Sequence, residues 1–211
     1  MDETLIHCFK NAENERLCIG NYTNDEILRF SLPDTEFGGR DRKYSVVKRP
    51  GAIGLMFELR RHFEIHVWTA GVREYADKVL DWLEEDQPLF QSRGYRSDCT
   101  VVPSSGGQVV YLKDIAAKFG AGNLDRVLLL DNNPDSSPAD QVRNLVPVID
   151  FCGNKNDDEF VLDTYKRLLI HASKLRDVRN GITDEFRLLI HNRRSRERVS
   201  ESTDFITMTF A

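Results

Sequence analysis

Arg126-Val127-Leu128-Leu129-Leu130-Asp131-Asn132-Asn133-Pro134 joins a continuous apolar run to an acid, two amides and a proline. A run of this kind, with Asp125 before it and a turn after it, suits a strand buried on both faces of a parallel sheet. Asp131 then falls just past the carboxyl end of that strand, where open α/β sheets bind their ligands.

The same arrangement recurs upstream. Phe63, Ile65 and Val67 alternate with Glu64 and His66, a strand pattern that runs through Trp68 into Thr69-Ala70-Gly71. Ahead of it, Ala52 to His62 is an amphipathic helix with Ile53, Met56, Phe57 and Leu59 near one face. Arg60-Arg61-His62 sit at its C-terminal end, where cations suit the helix dipole. After it, Tyr75, Val79, Trp82 and Leu83 recur at helical spacing over about 72–85. Val146 to Phe151 is a second late apolar run, and 159–175 is a strong helix built on Phe160, Leu162, Tyr165, Leu168, Leu169 and Ala172.

Residues 8–43 are polar and turn-rich, with short candidate strands at Arg16–Ile19 and Ile27–Leu32. They read as a hairpin-like excursion between a first strand and a first helix. Tyr44–Lys48 is a further strand, and Arg49-Pro50-Gly51 punctuates the helix start. Residues 87–112 are β-favouring around the turn Pro103-Ser104-Ser105-Gly106-Gly107, a small antiparallel insertion. A helix covers about 114–119 and ends at Gly120 and Gly122. From about Gly181 the pattern weakens, with one more helix at Phe186–His191 and a charged run at Arg193–Arg198.

Strands alternating with helices imply an α/β fold: a parallel sheet with helices on both faces plus a small antiparallel β insertion. We expect one domain over 1–178 and a C-terminal extension over 179–211. The net charge of −5, from 34 acidic and 29 basic residues, argues against a general nucleic-acid binder. Cys8, Cys18, Cys99 and Cys152 form no C-x-x-C pair, which argues against a zinc site and for thiols in a reducing compartment. No run approaches the ~20 apolar residues of a membrane span. Asp2 and Glu3 sit where the basic region of a signal peptide would be.

Phosphate-ester hydrolysis through an aspartyl-phosphate needs a carboxylate nucleophile and a second acid that serves the leaving oxygen and then water. It also needs Mg²⁺ held by a few oxygens, and a fixed cation with a small hydroxyl for the phosphoryl oxygens. Asp2, Thr69, Lys113, Asp131 and Asn132 supply all of these except the nucleophile. Taken singly, each has a plainer reading. Asp131 is then a turn residue, Thr69 a helix N-cap, Lys113 a solvated lysine and Asp2 a terminal acid. Four segments in fixed order, each at or beside a strand end, favour the shared chemistry.

The chain resembles the haloacid dehalogenase superfamily, and more closely its small carboxy-terminal-domain (NLI-interacting-factor-like) phosphatases, which act on phosphoserine in the tail of RNA polymerase II. The resemblance rests on Asp2-Glu3-Thr4-Leu5-Ile6-His7, Val47-Lys48-Arg49-Pro50-Gly51 and Trp68-Thr69-Ala70-Gly71 with Tyr75-Ala76-Asp77. It continues through Arg96-Ser97-Asp98-Cys99, Tyr111-Leu112-Lys113-Asp114, Leu130-Asp131-Asn132-Asn133-Pro134 and Asn144-Leu145-Val146-Pro147-Val148. It implies a Rossmann-type fold, Mg²⁺, and a phosphorylated protein substrate. It makes Asp2 the acid/base whose carbonyl also binds the metal, and Thr69 and Lys113 the phosphate-holding pair. Asn132 becomes a metal ligand with Asp131 its acidic neighbour. Val72 and Tyr75 border a substrate proline, and Arg96 borders the substrate groove.

Asp2-Glu3-Thr4 matches only the second half of the family's D-x-D-x-T motif. In that register the nucleophile falls immediately before Met1, together with the strand that should carry it. The intact later motifs favour a chain that continues upstream over a degenerate copy. Asn133, where relatives often carry serine, is a milder departure. The alternatives are a non-catalytic relative, such as the receptor subunit of the mitochondrial inner-membrane translocase, and a phosphopeptide-binding module. The expected location is nuclear or cytoplasmic, with mitochondria as the alternative.

Overall fold

The computed structural model describes residues 1–9, 22–33, 41–85, 87–103, 107, 109–155 and 159–191. The candidate strand at Arg16–Ile19 and the charged run at Arg193–Arg198 lie outside them.

Three strands near the N-terminus form an antiparallel sheet in the order β1 (Ile6–Cys8), β3 (Asp41–Lys48), β2 (Ile27–Pro33). β2 and β3 make the expected excursion, in a register running from Ile27 opposite Val47 to Pro33 opposite Asp41. Phe30 and Tyr44 are cross-strand partners whose rings stack at 5.1 Å. Both rest on Tyr75 of the helix α2 (Arg73–Leu83), at 5.9 and 5.1 Å. The face of α2 carrying Tyr75, Ala76, Val79, Leu80 and Leu83 is buried with Ile6, Val46 and Val67. Each such side chain contributes about 1.5–3 kcal/mol.

The parallel sheet is present as two pairs. β4 (His66–Trp68) pairs with β5 (Ser92–Gly94), and β8 (Leu129–Asp131) pairs with β9 (Leu145–Pro147). The strand expected over 63–68 begins only at His66, because the amides of His62 and Phe63 still bond back to the Leu59 carbonyl and carry the end of α1 (Ala52–Leu59) into a turn. β8 likewise begins at Leu129, after a 3-10 stretch at Ala121–Arg126. Leu129 and Leu130 are half-buried. The run expected to be buried on both faces instead borders a cavity of about 490 Å³.

Ser92–Gly94 runs parallel to β4, so antiparallel pairing between 87 and 112 is confined to β6 (Thr100–Pro103) and β7 (Val109–Leu112). A short helix, α3 (Ile115–Phe119), follows, with the Asp114 carboxylate accepting from the Ala117 amide as its N-cap. Gln141 holds the same corner: its Oε1 accepts from the Ile115 amide and its Nε2 donates to Asp114 Oδ1, both at 2.8 Å.

The second core lies between α1, β9 and α4 (Glu159–Ala172), with Leu55, Met56, Leu59, Val146, Tyr165 and Leu169 buried. It continues past residue 178, since Ile182, Phe186 and Ile190 are buried in it and 184–191 are helical. The packed unit therefore reaches beyond the 1–178 boundary. Among the described residues no helix is long and apolar enough to cross a membrane.

Candidate active site

Thr69, Lys113 and Asp131 are polar, yet only 2%, 5% and 3% exposed. Thr69 follows β4, Lys113 follows β7 and Asp131 ends β8. Lys113 Nζ donates to Asp131 Oδ2, and the other carboxylate oxygen accepts from the Asn133 amide at 2.8 Å. Burial works against the Asp131 charge, but Lys113 and the Asn133 amide outweigh it and hold its pKa below the usual carboxylate range. The Lys113 amide is pinned to the Ser136 carbonyl at 2.7 Å, so the backbones carrying the two charges are tied as well.

Thr69 Oγ1 accepts from the Gly71 amide at 3.0 Å, which fixes the hydroxyl at the mouth of α2. A Cβ on Gly71 would come within 3.3 Å of that hydroxyl. Cys99 ties the two phosphate-site candidates together. Its Sγ lies 3.9 Å from the Thr69 carbonyl, and its thiol, pushed up by burial, feels the Lys113 charge.

Asp2 enters from the N-terminal turn. Its Oδ1 accepts from the Tyr75 hydroxyl at 2.6 Å. Burial, then the Asp2 carboxylate, pushes the Tyr75 pKa far above its ordinary value, so the phenol stays a donor. The turn is compact: Glu3 has φ 55°, the Leu5 amide bonds to the Met1 carbonyl, and Thr4 Oγ1 donates to Asn132 Oδ1 at 3.2 Å.

Of the substrate-side candidates, Val72 is 40% exposed and open to a ligand. Tyr75 is 8% exposed beneath Phe30 and Tyr44. Its hydroxyl is engaged by Asp2, and little of the ring that the resemblance puts beside a substrate proline reaches the surface. Arg96 spans the insertion and the Thr69 loop: its Nε donates to the Ala70 carbonyl at 2.7 Å and its guanidinium lies 5.0 Å from the Tyr111 ring centre.

Two supporting residues escaped sequence reasoning. Arg49, read there as punctuation, is 1% exposed. It donates to the carbonyls of Thr4 (3.2 Å) and Ile149 (2.9 Å), clamping the Asp2 turn to the segment after β9. Thr4 was read only as the end of a motif. Both lie in the quoted motifs, Arg49 directly before Pro-Gly and Thr4 at the end of D-x-T, but neither motif tells which carbonyl or amide the side chain meets.

The backbone carbonyl of Asp2, the carboxylate of Asp131 and the amide oxygen of Asn132 are all oxygen donors, of the type a hard cation such as Mg²⁺ prefers. Among the described residues no three His, Cys, Asp or Glu converge as a metal cluster. The donors thus fit Mg²⁺ in kind, with the Asn132 oxygen and a backbone carbonyl needed to complete the set.

Parallel strand pairs that end at a hydroxyl and an aspartate, with a lysine brought to that aspartate by the β6–β7 hairpin, fit a haloacid dehalogenase-like fold. The chain belongs to the NLI interacting factor-like phosphatase family, whose model matches residues 1–179. It is 30% identical over 172 residues to nuclear envelope morphology protein 1 of Saccharomyces cerevisiae, covering 76% of this chain and 35% of that protein. It is 31% identical over 160 residues to the human carboxy-terminal domain RNA polymerase II polypeptide A small phosphatase 1, covering 75% of this chain and 52% of that one. Among solved structures, Fcp1, an essential RNA polymerase II CTD phosphatase, matches with a TM-score of 0.56 and 19% identity, over 84% of this chain and 49% of that one. That likeness concerns the fold.

Proposed function

We propose that this domain is built for Mg²⁺-dependent hydrolysis of phosphoserine or phosphothreonine in a protein substrate. The buried Lys113–Asp131 pair, together with buried Thr69 at the end of β4, carries the reading: strand ends that hold a fixed cation and a hydroxyl suit a phosphoryl group. Lys113 and Thr69 hold the phosphoryl oxygens. Asp2, Asn132 and Asp131 hold Mg²⁺, which would neutralise charge on the phosphoryl group when bound.

In this scheme a carboxylate attacks phosphorus and the ester P–O bond breaks. Asp2 gives its proton to the departing serine oxygen. Asp2 then takes a proton from the water that attacks the aspartyl-phosphate, which releases phosphate and restores the carboxylate. The motif puts that first carboxylate immediately before Met1, and the 211 residues do not contain it. By themselves they form a phosphate-holding frame. Arg96 and exposed Val72 border the peptide. A phosphorylated tail of the RNA polymerase II type is the substrate suggested by the human relative's name, and a nuclear setting by the name of the yeast one. The mitochondrial receptor alternative draws no support from these relatives.

The test extends the chain ahead of Met1 by an apolar strand ending in aspartate, with an asparagine-ended version as control. The aspartate form is expected to hydrolyse a phosphoserine heptad peptide with Mg²⁺, and neither the asparagine form nor the 211 residues alone to do so. A folded but inactive aspartate form would overturn the reading.

A further inference from the structure

Among the described residues Glu3 is the only non-glycine residue with a positive φ, at 55°. A side chain there is strained in a way that glycine is not. The backbone is held on both sides. The Glu3 amide donates to the Ile6 carbonyl at 2.7 Å, and the Glu3 carbonyl accepts from the Phe151 amide at 2.8 Å. Neither bond needs a side chain, and glycine would make both without strain. The turn itself therefore gives no reason for a glutamate.

The Glu3 carboxylate meets Asn132. Its Oε2 accepts from Asn132 Nδ2 at 3.4 Å, while Asn132 Oδ1 accepts from the Thr4 hydroxyl at 3.2 Å. These two neighbours are not equivalent. A hydroxyl both donates and accepts, so Thr4 would satisfy either end of the amide. An ionised carboxylate only accepts, so it favours the NH2 group and repels the oxygen. Of the two, it is Glu3 that decides which way the amide is turned. That choice matters at this position, because a hard cation takes the amide oxygen and not the NH2 group. An amide oxygen accepts twice, so the Thr4 bond by itself does not saturate it.

We infer that Glu3 is a positioning residue for the cation site: its carboxylate holds the Asn132 NH2 group and so keeps the amide oxygen in the orientation of a Mg²⁺ ligand. Glu3 acts through Asn132 and touches neither the phosphoryl group nor the substrate. The inference rests on the Mg²⁺ reading given above, and its readout is metal binding rather than turnover.

The test is calorimetric titration of the full 211-residue chain with MgCl₂. Glu3→Gln keeps the size of the side chain and loses its acceptor-only character. Glu3→Asp keeps the charge and is one methylene too short. Both are expected to weaken Mg²⁺ binding about tenfold, the scale of a lost outer-shell partner. Glu3→Gly should weaken it as much, yet melt no lower than wild type, because the strain is relieved. Asn132→Asp offers two equivalent oxygens and has no orientation to choose. Glu3→Gln added to Asn132→Asp should therefore cost no further affinity. Unchanged binding in Glu3→Gln would overturn the inference and leave the Mg²⁺ reading standing. An equal loss from Glu3→Gln in the Asn132→Asp background would also overturn it, since Glu3 would then act by charge alone. A Glu3→Gly chain that melts lower and binds Mg²⁺ as wild type does would make the role structural. Wild type that binds no Mg²⁺ would overturn the metal reading and this inference together.

Discussion

Tyr75 and Asp2 stand 73 positions apart in sequence and share a 2.6 Å hydrogen bond from phenol to carboxylate. The bond couples the N-terminal turn to α2, so the acid at the site is aimed by the same helix that begins just after Thr69. Tyr75→Phe keeps the ring against Phe30 and Tyr44 and removes only this donor. A bond to a charged acceptor contributes about 1.5–3 kcal/mol. Urea denaturation of Tyr75→Phe should show a loss towards the low end of that range, because Asp2 is only half-buried. Wild-type stability would show that the bond contributes nothing to holding the turn.

The Lys113–Asp131 pair predicts a sharper asymmetry. Lys113→Met leaves a buried carboxylate without its cation, which costs about 3–5 kcal/mol. Lys113→Met with Asp131→Leu removes both charges and should recover much of that loss. The two unfolding curves, compared with wild type, read this directly. A double variant no more stable than the single one would contradict the pair's isolation.

Arg49 donates to the carbonyls of Thr4 and Ile149 from full burial. Arg49→Met preserves most of the volume and orphans the Thr4 and Ile149 carbonyls. We expect a loss of about 2–3 kcal/mol and faster amide exchange at Thr4 and Leu5. Exchange unchanged in that turn would place the role of Arg49 elsewhere.

Much of this was legible in the chain. Val67-Trp68-Thr69 and Leu130-Asp131 announce strands that end in polar residues, and both strands form, with Thr69 and Asp131 buried at their ends. Ile27–Leu32 reads correctly as a strand of the excursion, and its buried and exposed residues alternate because one face of that sheet is solvated. What stayed hidden depends on long-range geometry. Tyr75 has the helical spacing of a core residue, and its hydroxyl's partner comes from another part of the chain. Arg49 looks like a surface cation until the turn and β9 close over it. The 126–130 run reads as buried on both faces because hydropathy cannot reveal that Leu128 to Leu130 line a cavity.

Glu84 gives the acid sensitivity. Burial opposes its charge, but the Leu89 and Phe90 amides and the Arg93 guanidinium outweigh it, and its pKa lies below the ordinary 4.5. With the folded pKa depressed, its contribution is fully present above the unfolded value and is lost as pH falls from about 5 through the folded one. Melting temperature should drop over that window. In Glu84→Gln it should be lower at pH 7 and fall less on acidification. An identical pH slope in the two proteins would remove Glu84 from the account.

The central claim is that Thr69 and Lys113 form a phosphate-holding site at the sheet's carboxyl end. Titration of the 211-residue chain with a phosphoserine heptad peptide, in the presence of Mg²⁺, tests it most directly. The account predicts that the phosphorylated peptide binds at least about tenfold more tightly than its unphosphorylated form. Thr69→Val and Lys113→Met should each abolish that preference, with folding confirmed by circular dichroism. Equal affinity for the two peptides, or a preference that survives both substitutions, would contradict it.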